Sequence, residues 1–97
     1  MDLVAQQLLL HPKTLQRRLR DEGTTFPALV DQLRQEIAER CLGDTDLALG
    51  QLAKQLGYVE QSELSRSCRR WFGHTPAAHR RLLRGLPHRP PLSNDVK

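Results

Sequence analysis

The chain has 97 residues, 38% of them hydrophobic, with two Phe, one Tyr and one Trp, and its 15 Lys and Arg against 11 Asp and Glu give a formal charge of +4. A chain of this size builds only a modest core, which argues against a deep enclosed active site. No apolar run approaches the ~20 residues of a membrane helix. The opening Met1, Asp2, Leu3 and Val4 lack the basic and then apolar pattern of a secretory signal, so a cytoplasmic protein with no membrane partner is expected.

The net charge is a remainder of unequal segments. Residues 1–20 carry Lys13, Arg17, Arg18 and Arg20 against Asp2, a balance of +3. Residues 21–63 carry nine acids (Asp21, Glu22, Asp31, Glu36, Glu39, Asp44, Asp46, Glu60, Glu63) against Arg34, Arg40 and Lys54, a balance of −6. From residue 64, Arg66, Arg69, Arg70, Arg80, Arg81, Arg84, Arg89 and Lys97 face Asp95 alone, a balance of +7. Two basic zones thus flank an acidic middle. An uneven solvated surface and a polyanionic partner are both compatible with that pattern.

In chain order, Leu3 to Leu9 reads as a short helix, followed by one opened by Pro12, whose missing N–H costs nothing in a first helical turn. Leu15 and Leu19 form its inward stripe, while Lys13, Gln16, Arg17 and Arg20 share the opposite face. Gly23 ends it. A longer helix, entered by Thr25, Phe26 and Pro27 and ending near Leu42 and Gly43, is expected to bury Phe26, Val30, Leu33, Ile37 and Cys41. At roughly 25 Å it can serve as a rigid spacer. Leu49, Leu52, Ala53 and Leu56 then make a short stripe before a turn at Gly57. In the next helix Leu64, Cys68 and Trp71 or Phe72 point inward, leaving Gln61, Ser62, Ser65, Arg66 and Arg69 outward. Gly73 stops it, and Thr75 and Pro76 cap a last helix through about Leu83. Residues 85–97, with Pro87, Pro90 and Pro91, are expected to be a mobile tail.

These elements repeat. Ala5, Gln7 and Leu8 recur as Ala53, Gln55 and Leu56; Leu15, Arg17 and Arg20 as Leu64, Arg66 and Arg69; Gly23, Thr25, Ala28, Leu33 and Arg34 as Gly73, Thr75, Ala78, Leu83 and Arg84. Each copy reads as helix, tight turn, helix with a basic and amide-rich face, the form of a helix-turn-helix DNA reader. Arg donates two hydrogen bonds to guanine and Gln pairs with adenine in the same way, so Arg17 and Arg66 are equivalent candidates for base reading. Arg20 and Arg69 lie a turn further on, where phosphate is the expected contact.

The block Gln51-Leu-Ala-Lys-Gln-Leu-Gly-Tyr58, then Gln61-Ser-Glu-Leu-Ser-Arg66, Arg70-Trp-Phe-Gly73 and Thr75-Pro-Ala-Ala-His-Arg80, resembles the DNA-binding domain of AraC/XylS-type transcriptional regulators. Thr14-Leu-Gln-Arg-Arg-Leu-Arg-Asp-Glu-Gly23 and Leu33-Arg-Gln-Glu-Ile-Ala38 match that family as well. The resemblance implies an all-α, homeodomain-like fold of two helix-turn-helix units, residues 1–25 and 44–84, joined by a linker helix over 26–43. It implies base reading by Lys13, Gln16, Arg17, Gln61, Ser62, Ser65 and Arg66, and phosphate binding by Arg20, Arg69, Arg70, Thr75 and Arg80. The partner it implies is double-stranded operator or promoter DNA, with RNA polymerase a further partner and any effector bound only through a regulatory domain outside this chain. The family's usual first helix would precede Met1, which implies a shortened first unit with Leu3, Leu8 and Leu9 partly uncovered. Leu64 and Cys68 stand where the family often has Phe, and His79 where Tyr is common, which implies a looser second unit.

Several residues admit two readings. Glu60 and Glu63 would repel phosphates, accept from cytosine, or complement a helix N-terminus, and the helix-end role is preferred for Glu60. His11 is either a weak cap or a phosphate contact. Trp71 and Phe72 are core residues rather than a base-stacking platform. Cys41 and Cys68 are reduced, buried apolar residues, and with His11, His74, His79 and His88 they do not fit zinc spacings. No catalytic residue, metal or cofactor is expected. The alternative function is a basic helical protein-interaction or non-specific nucleic-acid-binding module.

Overall fold

The computed structural model describes residues 2–85, which form α1 (Leu3–Leu10), α2 (Pro12–Asp21), α3 (Phe26–Asp44), α4 (Leu49–Gln55), α5 (Gln61–Phe72) and α6 (Pro76–Gly85), with no strand among them. Side chains placed just before the helices satisfy amide groups that have no partner within the helix. Asp2 Oδ1 accepts from the Ala5 amide at 2.7 Å. Thr25 and Thr75, equivalent in the repeat, accept through Oγ1 from Ala28 and Ala78, each at 3.2 Å. The equivalent stops match too: Gly23 and Gly73 have φ of 64° and 85°, a left-handed conformation in which glycine carries no steric cost.

The links inside the two units differ. His11 alone separates α1 from α2, whereas residues 56–60 join α4 to α5. Gly57 in the longer link has φ of 88°, and a Cβ there would meet Arg34 Nη2 and Asp2 Oδ2 at 3.4 Å.

One apolar core runs through both units, from Val4 and Leu15 through Leu29, Leu33, Ile37, Ala38, Cys41 and Leu42 to Leu52, Leu56, Leu64 and Cys68. Helix α3 lies at its centre, packed on α1, α2 and α6. It is therefore a shared core element and not a bare spacer. The buried stripe of α3 begins at Leu29; Phe26, expected inside, leaves 54% of its surface exposed in the first turn, and Val30 is half-buried. Periodicity gives the phase of a helix but not the point at which neighbours cease to cover it. On α1, Leu3 and Leu8 pack against the core, while the exposed leucines are Leu9 and its neighbour Leu10.

Leu64 and Cys68 are completely enclosed, and Trp71, Phe72 and His79 close the cluster through an edge-on Trp71–Phe72 contact (5.8 Å between centroids) and a parallel Phe72–His79 stack (4.0 Å). Neither Leu64 nor Cys68 is exposed, although each is smaller than the Phe the resemblance places there. Both cysteines are free and buried, and burial pushes the Cys68 thiol up to about 11 and raises Cys41, which suppresses thiolate chemistry. The expected tail at 85–97 lies outside the described residues except for Gly85, which ends α6. No described helix is long and apolar enough to cross a membrane.

Candidate nucleic-acid interface

Helices α2 and α5 each place one face in the core and the other in solvent. On α2 the buried Leu15 and half-buried Leu19 turn inward, so Lys13, Gln16, Arg17 and Arg20 stand exposed. On α5 Leu64, Ser67 and Cys68 turn inward, leaving Gln61, Ser62, Arg66 and Arg69 exposed and Ser65 half-buried. Among the described residues, Lys13, Arg17, Arg66 and Arg69 make no hydrogen bond or ion pair, and Arg20 has only its chain neighbour Asp21 at 3.4 Å. Each helix therefore presents a row of cationic and amide side chains held on a packed support, its cations without an ion pair among the described residues except Arg20 with Asp21.

The other arginines of these helices have structural tasks. Arg18, beside Arg17, turns back to α3, donating to Gln32 Oε1 at 2.8 Å and approaching Glu36 at 3.4 Å. Ser67, the equivalent position on α5, shares a 2.7 Å hydrogen bond with the Tyr58 hydroxyl. Arg34 of α3 donates to the Leu56 carbonyl at 2.8 Å and lies 4.6 Å above the Tyr58 ring, so the α4–α5 link is tied to α3.

Arg70 forms a forked pair with Asp31 of α3, at 3.0 and 2.9 Å, and Trp71 Nε1 donates to the same carboxylate at 3.1 Å. The Arg70 hydrogen bond holds the Asp31 carboxyl below the usual carboxylate range. Arg80 donates to the carbonyls of Leu42 at 3.1 Å and Leu47 at 2.8 Å. Helix α3 has no basic residue in its own last turn, and the Arg80 cation takes that place at its negative end. Thr75 is a helix cap, as above. Of the five residues expected at phosphates, then, Arg70 and Arg80 bond to α3 or the segment that follows it, Thr75 caps α6, Arg20 has only its chain neighbour Asp21, and Arg69 has no hydrogen bond or ion pair among the described residues.

Glu63 resolves the acidic start of α5. Its carboxylate accepts from the amides of Val59 and Glu60, each at 2.9 Å, and those bonds lower its pKa. Glu60, for which the helix-end role was expected, occupies the N-cap position, and the Glu63 side chain supplies these hydrogen bonds. His11 is exposed and makes no side-chain cap at α2. Trp71 and Phe72 are half-buried against the core, as expected. Among the described residues no cluster of three or more His, Cys, Asp or Glu could hold a metal ion.

Sequence reasoning missed Asp31, Arg34 and Arg80 as organisers of this surface. The charge segregation was the available signal: Arg18 with Glu36, Arg70 with Asp31 and Arg84 with Asp46 all join a basic zone to the acidic middle.

A family model described as a helix-turn-helix domain matches residues 4–82. The chain is 51% identical over 79 residues to the HTH-type transcriptional regulator VirS of Mycobacterium tuberculosis, covering 81% of this chain and 23% of that protein. It is 29% identical over 87 residues to the HTH-type transcriptional regulator GadX of Escherichia coli O157:H7, covering 89% of this chain and 32% of that protein. The crystal structure of the transcriptional regulator CdpR from Pseudomonas aeruginosa matches at a TM-score of 0.57 and 37% identity, over 80% of this chain and 25% of that one. The chain thus spans about a quarter to a third of the length of these relatives. With two repeated helix-turn-helix units, a match along nearly all its described length and regulators as its relatives, the chain belongs to the AraC-type helix-turn-helix family of transcriptional regulators.

Proposed function

We propose that the chain binds double-stranded DNA sequence-specifically, with α2 and α5 entering successive major grooves, as the DNA-binding part of an AraC-type regulator. The observation that carries this reading is the equivalence of Arg17 and Arg66: the same position in two copies, exposed on supported helices and without an ion pair among the described residues. Lys13, Gln16, Gln61, Ser62 and Ser65 complete the base-reading faces, and Arg20 and Arg69 meet phosphates. Major-groove sites one helical turn apart are about 34 Å from each other, and the described residues extend 39 Å along their longest axis. Contacts to RNA polymerase and control by an effector belong to a longer protein of which this is the reading head, within a cytoplasmic regulator that performs no catalysis.

Selection from a random duplex library tests the reading. Two short motifs separated by about one helical turn are the expected product. No enrichment, with uniform salt-dependent binding to bulk duplex, would leave only a non-specific basic module.

A further inference from the structure

The buried Leu64 and Cys68 set which face of α5 turns inward, and directional polar contacts hold the rest of its orientation to α3. Directional contacts come from two consecutive residues of α3. Gln32 accepts from Arg18 of α2 at 2.8 Å, and Asp31 accepts from Arg70 and Trp71 of α5 at 2.9 to 3.1 Å. Consecutive residues on a helix point about 100° apart, so one turn of α3 grips one reading helix on each side. Arg70 and Trp71 directly follow Arg69 on α5, which places this anchor beside the exposed row. Three donors converging on a single carboxylate define orientation in a way that one exposed ion pair does not.

We propose that Asp31 is a positioning residue that sets the spacing between the two DNA half-sites the protein accepts, by fixing the orientation of α5 relative to α3 and, through Gln32, to α2. The inference rests on the two-groove reading. Inserting one base pair between half-sites moves the second away and turns it by about 35° around the duplex. A junction locked at Asp31 cannot follow that turn, and a loosened one follows it further.

The test measures binding of the 97-residue chain to duplexes carrying both selected half-sites at the optimal spacing and at one base pair more or fewer, beside thermal melting. Asp31→Asn removes the charge that holds the Arg70 fork, and Trp71→Phe removes one donor while keeping an aromatic ring in the core. The parent should discriminate against both altered spacings; Asp31→Asn should shrink that penalty about threefold to tenfold, and Trp71→Phe by a smaller factor. Binding at the optimal spacing should change less than the penalty does. If the parent discriminates and both variants keep its full penalty, whatever happens to melting, the role of Asp31 is refuted and the two-groove reading stands. If the parent itself binds all spacings equally, the two-groove reading fails and this inference fails with it.

Discussion

The two units share one plan and differ in how firmly each reading helix is held. Helix α2 buries Leu15 and half-buries Leu19, and its polar anchoring is the Arg18 contact with Gln32 and Glu36. Helix α5 buries Leu64, Ser67 and Cys68 and is tied down by Tyr58, by Asp31 and by the ring cluster with His79. The matched repeat therefore carries an unmatched support: the second head is braced on several sides, the first rests mainly on one leucine and one arginine. The cationic faces stay equivalent while the scaffolding behind them diverges, which separates what reading DNA requires from what each fold neighbourhood supplies.

Removing packing should expose the difference most strongly. Leu64→Ala is expected to cost about 2–5 kcal/mol in chemical denaturation, toward the upper end because the residue is fully enclosed, and Leu15→Ala less. Equal costs would erase the contrast between the units. A smaller effect follows at Arg80. Arg80→Met leaves carbonyls at the end of α3 without their charged donor and should destabilise by about 1.5–3 kcal/mol without changing the salt dependence of DNA binding. Arg69→Ala should do the reverse, lowering the magnitude of the salt slope by about one while shifting stability by no more than ~0.5 kcal/mol. Loss of salt slope in the Arg80 variant would return that residue to the phosphate contacts.

The smallest effect is a pH dependence centred on His79. Burial keeps the His79 imidazole below its ordinary pKa, against the opposing pull of Glu39 at 3.7 Å, and His74 shares a 2.8 Å contact with its Nδ1. A base that resists protonation in the folded state leaves the unfolded chain binding more protons once pH falls below about 6.5. Stability contributed here is present above that pH and lost as the pH falls toward the folded pKa. Melting of His79→Phe should therefore decline less than that of the parent between pH 7 and 5.

The sequence made the helices and their exposed faces legible because both follow from local spacing. Leu15 with Leu19, and Leu64 with Cys68, each set a helical phase, and the phase alone turns Arg17 and Arg66 outward. The bolts between helices were not legible. Arg70 and Asp31 are 39 residues apart, and Arg80 and the Leu42 carbonyl 38, and no periodicity links such partners. Phe26 fits the apolar spacing of α3 yet stands exposed, because its fate depends on whether another helix reaches the first turn. Charge segregation held part of the missing information. Read as a surface property it was compatible with an uneven solvated surface or a polyanionic partner, whereas the acids of the middle segment hold Arg18, Arg70 and Arg84 in place and leave Arg17, Arg66 and Arg69 unpaired among the described residues.

The central claim, that equivalent arginines on two helices each read bases in their own half-site, is tested most directly by repeating the duplex selection with Arg17→Ala and with Arg66→Ala. Each variant should lose about 1–3 kcal/mol of base discrimination in one half of the selected site and keep the other half unchanged, the two variants affecting opposite halves. Variants that weaken binding to every duplex alike, or that blur the same half, would contradict it.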